Sequence, residues 1–495
     1  MGLVIRQSLA TSVISYVGVI IGYVNLLYLY PRFLSPDQVG LLRTIQDAAI
    51  LFTPFAQFGI SQSIIRYFPV FSKDKNQSGS FISLMLLLTL AGFAVFFLAF
   101  AIFREAITSY FESNAKEFVS YATLTLWLTL ILLLTSVLEA YSRSLLRTVI
   151  PNVLREVVIR LLFALMILAY FLGYLNFDQF ILSTVGSYLV CLALLVLYLW
   201  RTGDFRPRLN FGSLKSETTS AMVRFSLFGF AGTAAMIVIG KMDSLMVSGL
   251  MGLAANAVYT TAFYVATVIE IPKRALSQIT MPLISRAFEK NDFAEIRTLY
   301  RKTAITQFII GSLLLLGVWA NLNNLFDLMP RSEIYSAGRW VVIIIGIGKL
   351  TDMLFGPSSE IIILSKYYTF NILLIVLLAV MTVVLNNTLI PVYGIEGAAY
   401  GAAISLGLFN VIKFIFIWVK LGIQPFSSSF IKVILIGGVA WFVHWLIPPL
   451  EWTIVDIIVR SAAIALAYGS LILWTNVLPE ANELVRKALI LLRLR

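Results

Sequence analysis

Apolar runs of about 20 residues, separated by short polar breaks, recur from one end of this chain to the other. Each is long enough to cross a hydrocarbon layer about 30 Å thick as a helix. They do not alternate apolar and polar positions over ten residues, as barrel strands would. The first half predicts spans over 8–33, 39–71, 79–103, 118–146, 152–173 and 178–200. The second half predicts 222–252, 256–285, 303–322, 335–364, 367–385, 394–420, 430–446 and 454–474. The expected fold is all-α, a polytopic membrane protein with about 14 transmembrane helices. The 8–33 stretch is too long for a signal peptide and lacks a small-residue cleavage site, so it reads as the first span.

An internal repeat organises these spans. FAQFGISQSIIRYFPVFSKDKN, at the exit of the second span, lies beside IPKRALSQITMPLISRAFEKND from the eighth: SQS and SQI each precede an apolar run that ends in a charged turn. Copies six spans apart cross the membrane in the same direction, which predicts parallel repeats about an axis along the membrane normal. The expected layout is an N-terminal lobe over 1–205, a cytoplasmic linker over 206–221 and a C-terminal lobe over 222–420. Two further spans follow over 421–478, then a basic amphipathic tail over 479–495 suited to an anionic leaflet. The two six-helix lobes are expected to enclose a central cavity.

Composition narrows the class. Hydrophobic residues make up 59% of the chain and charged residues 13%, against about 25% charged in soluble domains. One cysteine, Cys191, and one histidine, His444, exclude a disulfide framework, a zinc cage or a thiol mechanism within one chain. The net charge of +12 is dispersed over short connections, without the single patch that nucleic-acid binding requires. It instead orients the chain: about 25 Lys and Arg fall on one side and about seven on the other, which puts both termini in the cytoplasm.

Charges inside spans carry the functional signal, because each costs about 2.5–3.5 kcal/mol at the bilayer centre unless it faces a cavity or a partner. The seventh span contains Lys241 and Asp243, the eighth Glu270, Lys273 and Arg274, and the tenth Lys349, Asp352 and Glu360. Glu270 with Lys273 or Arg274, and Lys349 with Asp352, are spaced to pair along one helix face. Internal ion pairing is therefore one explanation, and a hydrated cavity is the other; mixed charges on three separate helices favour the cavity. Arg43 lies on the outer half of the second span, against the orientation rule and four residues before Asp47. Pro54 and Pro272 mark breaks in the second and eighth helices. The expected cavity cations are Arg43, Lys241, Lys273, Arg274 and Lys349, with Asp47, Asp243, Glu270 and Asp352 as coupling or gating carboxylates. Such a cation-rich site suits a pyrophosphate, since guanidinium forks bind phosphate oxygens in pairs.

The opening YLYPRFLSPDQVGLLRT, the segment LIPVYGIEGAAYGAAIS over 389–405 and DSLMVSGLMG over 243–252 resemble the polysaccharide transporter and O-antigen flippase family. That family belongs to the superfamily that also holds lipid II flippases and multidrug and toxin extruders. The resemblance covers nearly the whole chain. It implies alternating access that moves an undecaprenyl-diphosphate-linked oligosaccharide from the cytoplasmic to the outer leaflet for cell-surface polysaccharide synthesis. It also implies a polymerase partner downstream, and places an acidic residue of the seventh span at Asp243. No cofactor is expected beyond a proton or sodium gradient or the membrane potential. A cation-coupled drug extruder is the alternative, although its cavity should be rich in carboxylates and aromatics rather than lysine and arginine. An enzyme is not expected, because the outer connections are short and carry no acid–base constellation.

Overall fold

A computed structural model describes residues 2–72, 75–203, 205–210, 216–479 and 482–483. Every regular element among them is helical. Among the described residues, twelve helices are long and apolar enough to cross a membrane, and the pair Pro36–Gln57 and Ile60–Phe71, bent by 49°, makes a thirteenth if it counts as one broken span. The stretch expected over 152–173 is also helical, running through Val149–Val153, a π-helical turn Leu154–Val158 and Ile159–Phe171. Its first half carries Arg155, Glu156 and Arg160, which makes it more polar than the others. The basic tail expected over 479–495 lies, from residue 484 onward, outside the described residues.

Local sequence accounts for the helix ends. Ser35 caps Pro36–Gln57 in a reciprocal pair with Gln38, with Pro36 at the position where a missing N–H does no harm. Asn176 and Gln179 form the same device on Phe177–Arg201. In the bent pair the chain turns at Phe58 and Gly59, both left-handed, with φ of 48° and 77°. The break is therefore four residues beyond Pro54, which sits inside the first helix. Pro272 likewise opens Ile271–Glu289 after a short 3-10 turn over Val268–Glu270, and so serves as a helix start.

The chain forms two compact units, residues 1–257 and 258–495. In the first, Phe68, Phe71, Phe81, Tyr141 and Leu195 belong to an apolar core built where Ile60–Phe71, Lys75–Ile102, Ala122–Ser144 and Phe177–Arg201 pack. In the second, one core gathers Phe308, Phe430, Val433 and Tyr468, and another Ile284, Tyr300, Ile361 and Ile417. Outward faces are apolar too: Val13, Leu98, Leu165, Trp445 and Trp474 are all exposed. A water-facing protein would not display so much apolar surface, whereas a lipid-facing one must. The molecule is a multi-pass membrane protein.

Within the first unit, Ser216–Met251 lies along Pro36–Gln57 and Ile60–Phe71, and the contact is lined with small and neutral polar residues. The Thr44 and Ser248 hydroxyls share a 2.6 Å hydrogen bond; Asn256 donates to Thr44 at 3.1 Å and accepts from Ser244 at 2.9 Å. Further along, Gln62 donates to Thr233 at 2.7 Å and Ser63 bonds Ser226 at 2.7 Å. Glycine permits the close approach. A Cβ on Gly40 would stand 1.8 Å from the Leu253 carbonyl oxygen, and one on Gly59 would stand 2.1 Å from that of Ser226.

Candidate functional site

The second unit concentrates charge on four helices. Glu270, at the end of the 3-10 turn, forms an ion pair with Lys349 of Arg339–Leu354 at 2.5 Å and lies 3.5 Å from Arg274, one turn further on. Lys273 reaches across to Asp352 of the same Arg339–Leu354 helix. Ser277, one turn beyond Lys273, donates to Glu360 of Ser358–Leu364 at 2.6 Å. Neighbouring Ser359 accepts from Lys413 of Ile395–Leu421 at 2.9 Å. Lys413 is only 1% exposed, with its ammonium 4.2 Å from the centre of the Phe409 ring. Asp352 lies in the field of three lysines, Lys273, Lys413 and Lys349. Four cations thus meet three carboxylates, Glu270, Asp352 and Glu360, in a set with one cation in excess.

The pairing departs from what sequence spacing offers. Lys349 and Asp352 are three residues apart, yet each takes its partner from the facing helix: Lys349 takes Glu270 and Asp352 takes Lys273. The i to i+4 spacing survives only in Glu270 and Arg274, the weakest of the three contacts, where Arg274 is 72% exposed. Two crossed pairs lock the helices together as local pairs would not. They leave Arg274 as the exposed cation of the group.

In the first unit, Asp47 pairs with Lys241 at 2.5 Å, at the middle of the contact between Pro36–Gln57 and Ser216–Met251. The Asp47 side chain is 7% exposed and that of Lys241 21%. Arg43 lies one turn before Asp47. Its guanidinium lies over the Tyr30 ring at 5.2 Å and reaches Gln46 at 3.4 Å. Asp243 is buried, at 5% exposure, two residues after Lys241.

The residues expected from sequence therefore fall in two sets. Glu270, Lys273, Arg274, Lys349 and Asp352 come together in the second unit; Asp47 and Lys241 join in the first, with Arg43 and Asp243 on the same two helices. Sequence reasoning missed Lys413 and the serines that link it to the rest. The signal was there, as a lone lysine inside the apolar run LFNVIKFIFIW, but it was not separated from the orienting charges near helix ends. A second omission is the pair Asp456 and Arg460, at 2.9 Å and almost fully buried in Thr453–Trp474. There Arg460 also donates to the His444 ring at 3.0 Å and to the His444 and Ile447 carbonyls. The sole histidine is thereby a held structural acceptor. No group of three or more potential metal ligands occurs among the described residues.

This helical architecture has known counterparts. It superposes on lipid II flippase MurJ in its inward closed conformation with a TM-score of 0.75 over 94% of this chain and 98% of that one, at 11% identity. An inward-facing multidrug resistance MATE family transporter of the MOP superfamily gives 0.62 over 80% and 92%, at 16% identity. A MOP superfamily transporter from Pyrococcus furiosus gives 0.55 over 85% and 95%, at 15% identity. The chain thus shares its fold with these transporters. Residues 4–288 match the sequence profile of the polysaccharide biosynthesis protein family, and the chain belongs to that family. It is also 22% identical over 436 residues to an uncharacterized membrane protein of Methanocaldococcus jannaschii, covering 83% of each chain.

Proposed function

We propose that this protein is a flippase. It carries an undecaprenyl-diphosphate-linked oligosaccharide from the cytoplasmic to the outer leaflet of the inner membrane, by alternating access of lobes 1–205 and 222–420, for cell-surface polysaccharide assembly. Both termini are cytoplasmic, and the flipped unit passes to a polymerase. The observation that supports this most is the lysine-rich ion network of the second unit, with Arg274 exposed at its edge. Excess positive charge held on membrane helices attracts a diphosphate and repels the lipophilic cations typical of drug extruders. Family membership points the same way.

In this scheme Arg43, Lys241, Lys273, Arg274 and Lys349 meet phosphate and sugar, and Asp47, Asp243, Glu270 and Asp352 couple transport to a proton or sodium gradient or gate it. The multidrug fold neighbours make a drug extruder the second reading. Deleting the gene and extracting undecaprenyl-linked intermediates separates the two. Accumulation on the cytoplasmic leaflet, reversed by complementation, is the expected result; unchanged lipid-linked glycan would favour the extruder. Complementation with Arg43→Gln or Arg274→Gln is expected to lose glycan display at unchanged membrane protein level. Full display with both replaced would remove the cationic site from the argument.

A further inference from the structure

A second polar cluster lies in the first unit and shares no residue with the sites above. Thr11 of Gly2–Val24, Glu139 and Arg143 of Ala122–Ser144, and Thr148, Asn152 and Arg155 at the start of the 149–171 helical run line a groove of about 120 Å³. Arg143 is the next-to-last residue of its helix, and Thr148 immediately precedes the following one. The groove therefore opens at helix ends, the depth at which lipid headgroups lie.

Its walls are held by bonds that leave one cation available. Arg155 is fixed by Glu139, Glu156 and Asn152, each at 3.3 Å, and Asn152 donates to the Thr11 carbonyl and to Ser15. Gln7 ties the first helix to the turn by donating to the Leu146 carbonyl at 2.6 Å and accepting from Thr148 at 3.1 Å. Arg143 is exposed, and among the described residues its guanidinium donates no hydrogen bond within the protein, though it lies in the field of Glu139. A guanidinium with open donors, a second one fixed in the same groove and the Thr148 hydroxyl on its lining match the oxygens of a phosphate ester. The surroundings suit acyl or prenyl chains: Leu146 and Ile150 are exposed at the turn, and Leu161, Leu165 and Leu168 are exposed further along the same helical run.

We infer that this groove is a binding site for a lipid-borne phosphate, with Arg143 as its principal donor. Two sources share that chemistry, a bulk glycerophospholipid and a polyprenyl diphosphate, and the test distinguishes them. Full-length protein in detergent is titrated separately with dihexanoyl phosphatidylglycerol, farnesyl diphosphate and inorganic phosphate, and binding is read by native mass spectrometry and tryptophan fluorescence. Saturable binding of one or both lipids is expected, weakened about tenfold by Arg143→Gln, the loss of a charge-assisted contact. Thr148→Val should weaken it by a smaller factor and serves if the first variant does not fold, although Arg143 leaves no internal partner unpaired when replaced. Tighter binding of phosphatidylglycerol identifies a bulk-lipid site, and tighter binding of farnesyl diphosphate identifies a site for polyprenyl carriers. Equal affinity of wild type and both variants, or inorganic phosphate binding as tightly as either lipid, overturns the inference.

Discussion

The contact along Pro36–Gln57 in the first unit and the one between Ile271–Glu289 and Arg339–Leu354 in the second both join apolar helices by inserted polar groups, but by different means. The first uses glycine, hydroxyls and carboxamides: Gly40 against Leu253, Thr44 with Ser248 and Asn256, and only one ion pair, Asp47 with Lys241. The second uses ions throughout, with Lys349 on Glu270 and Lys273 on Asp352. Neutral hydroxyl bonds between membrane helices contribute modestly, and each partner can find water or backbone when the helices part. Charges in a low-dielectric interior lose much more when a partner is removed. The first seam, mostly neutral and with a single ion pair, is thus the easier one to open and close. The ionic one must keep its partners or exchange them for a charged ligand.

The largest effect that would break this contrast is expected at Asp352. Replacing it by Asn leaves Lys273 unpaired and should cost about 3–5 kcal/mol, the range for breaking a buried pair. Heat denaturation of the purified protein, followed by loss of monodisperse material, measures it. Lys273→Met with Asp352→Leu should recover most of that stability and still fail to restore glycan display; recovered display would mean that the pair only holds the fold. Gly40→Ala comes next, at about 1–3 kcal/mol, because its new Cβ meets a backbone carbonyl with no flexible side chain to yield. A wild-type melting temperature there would show the seam to be looser than its geometry. The smallest effect is expected for Thr44→Val, about 0.6–1.5 kcal/mol for one shared hydroxyl between Ser248 and Asn256. If it matched Asp352→Asn, the distinction between the two contacts would fail.

Several features were legible before any coordinates. Runs such as 79–103 and 178–200 have one stable solution in lipid, a helix with its backbone bonds satisfied internally, and helices are found at Lys75–Ile102 and Phe177–Arg201. The caps at Ser35 in SPDQ and Asn176 in NFDQ are contacts between near neighbours in sequence as well, although the hydropathy reading began these spans only at 39 and 178. Most charged letters of the site were also visible, since a charge in an apolar run stands out; Lys413, taken with the orienting charges near helix ends, was the exception.

What the sequence determined by itself was therefore a multi-pass helical membrane protein with costly charges concentrated on a few spans, because hydropathy and capping act over a few residues. Only the tertiary structure decided which charges meet. Spacing offered Lys349 to Asp352 and Arg43 to Asp47, but the helices pack so that Lys349 takes Glu270, Lys273 takes Asp352, Lys241 takes Asp47 and Arg43 turns to Tyr30. Partners on facing helices are set by the rotation and depth of each helix, which small residues such as Gly40 and Gly59 control through close backbone contact. Packing also drew Lys413, more than fifty residues away in sequence, to Ser359, a contact whose register no local pattern encodes.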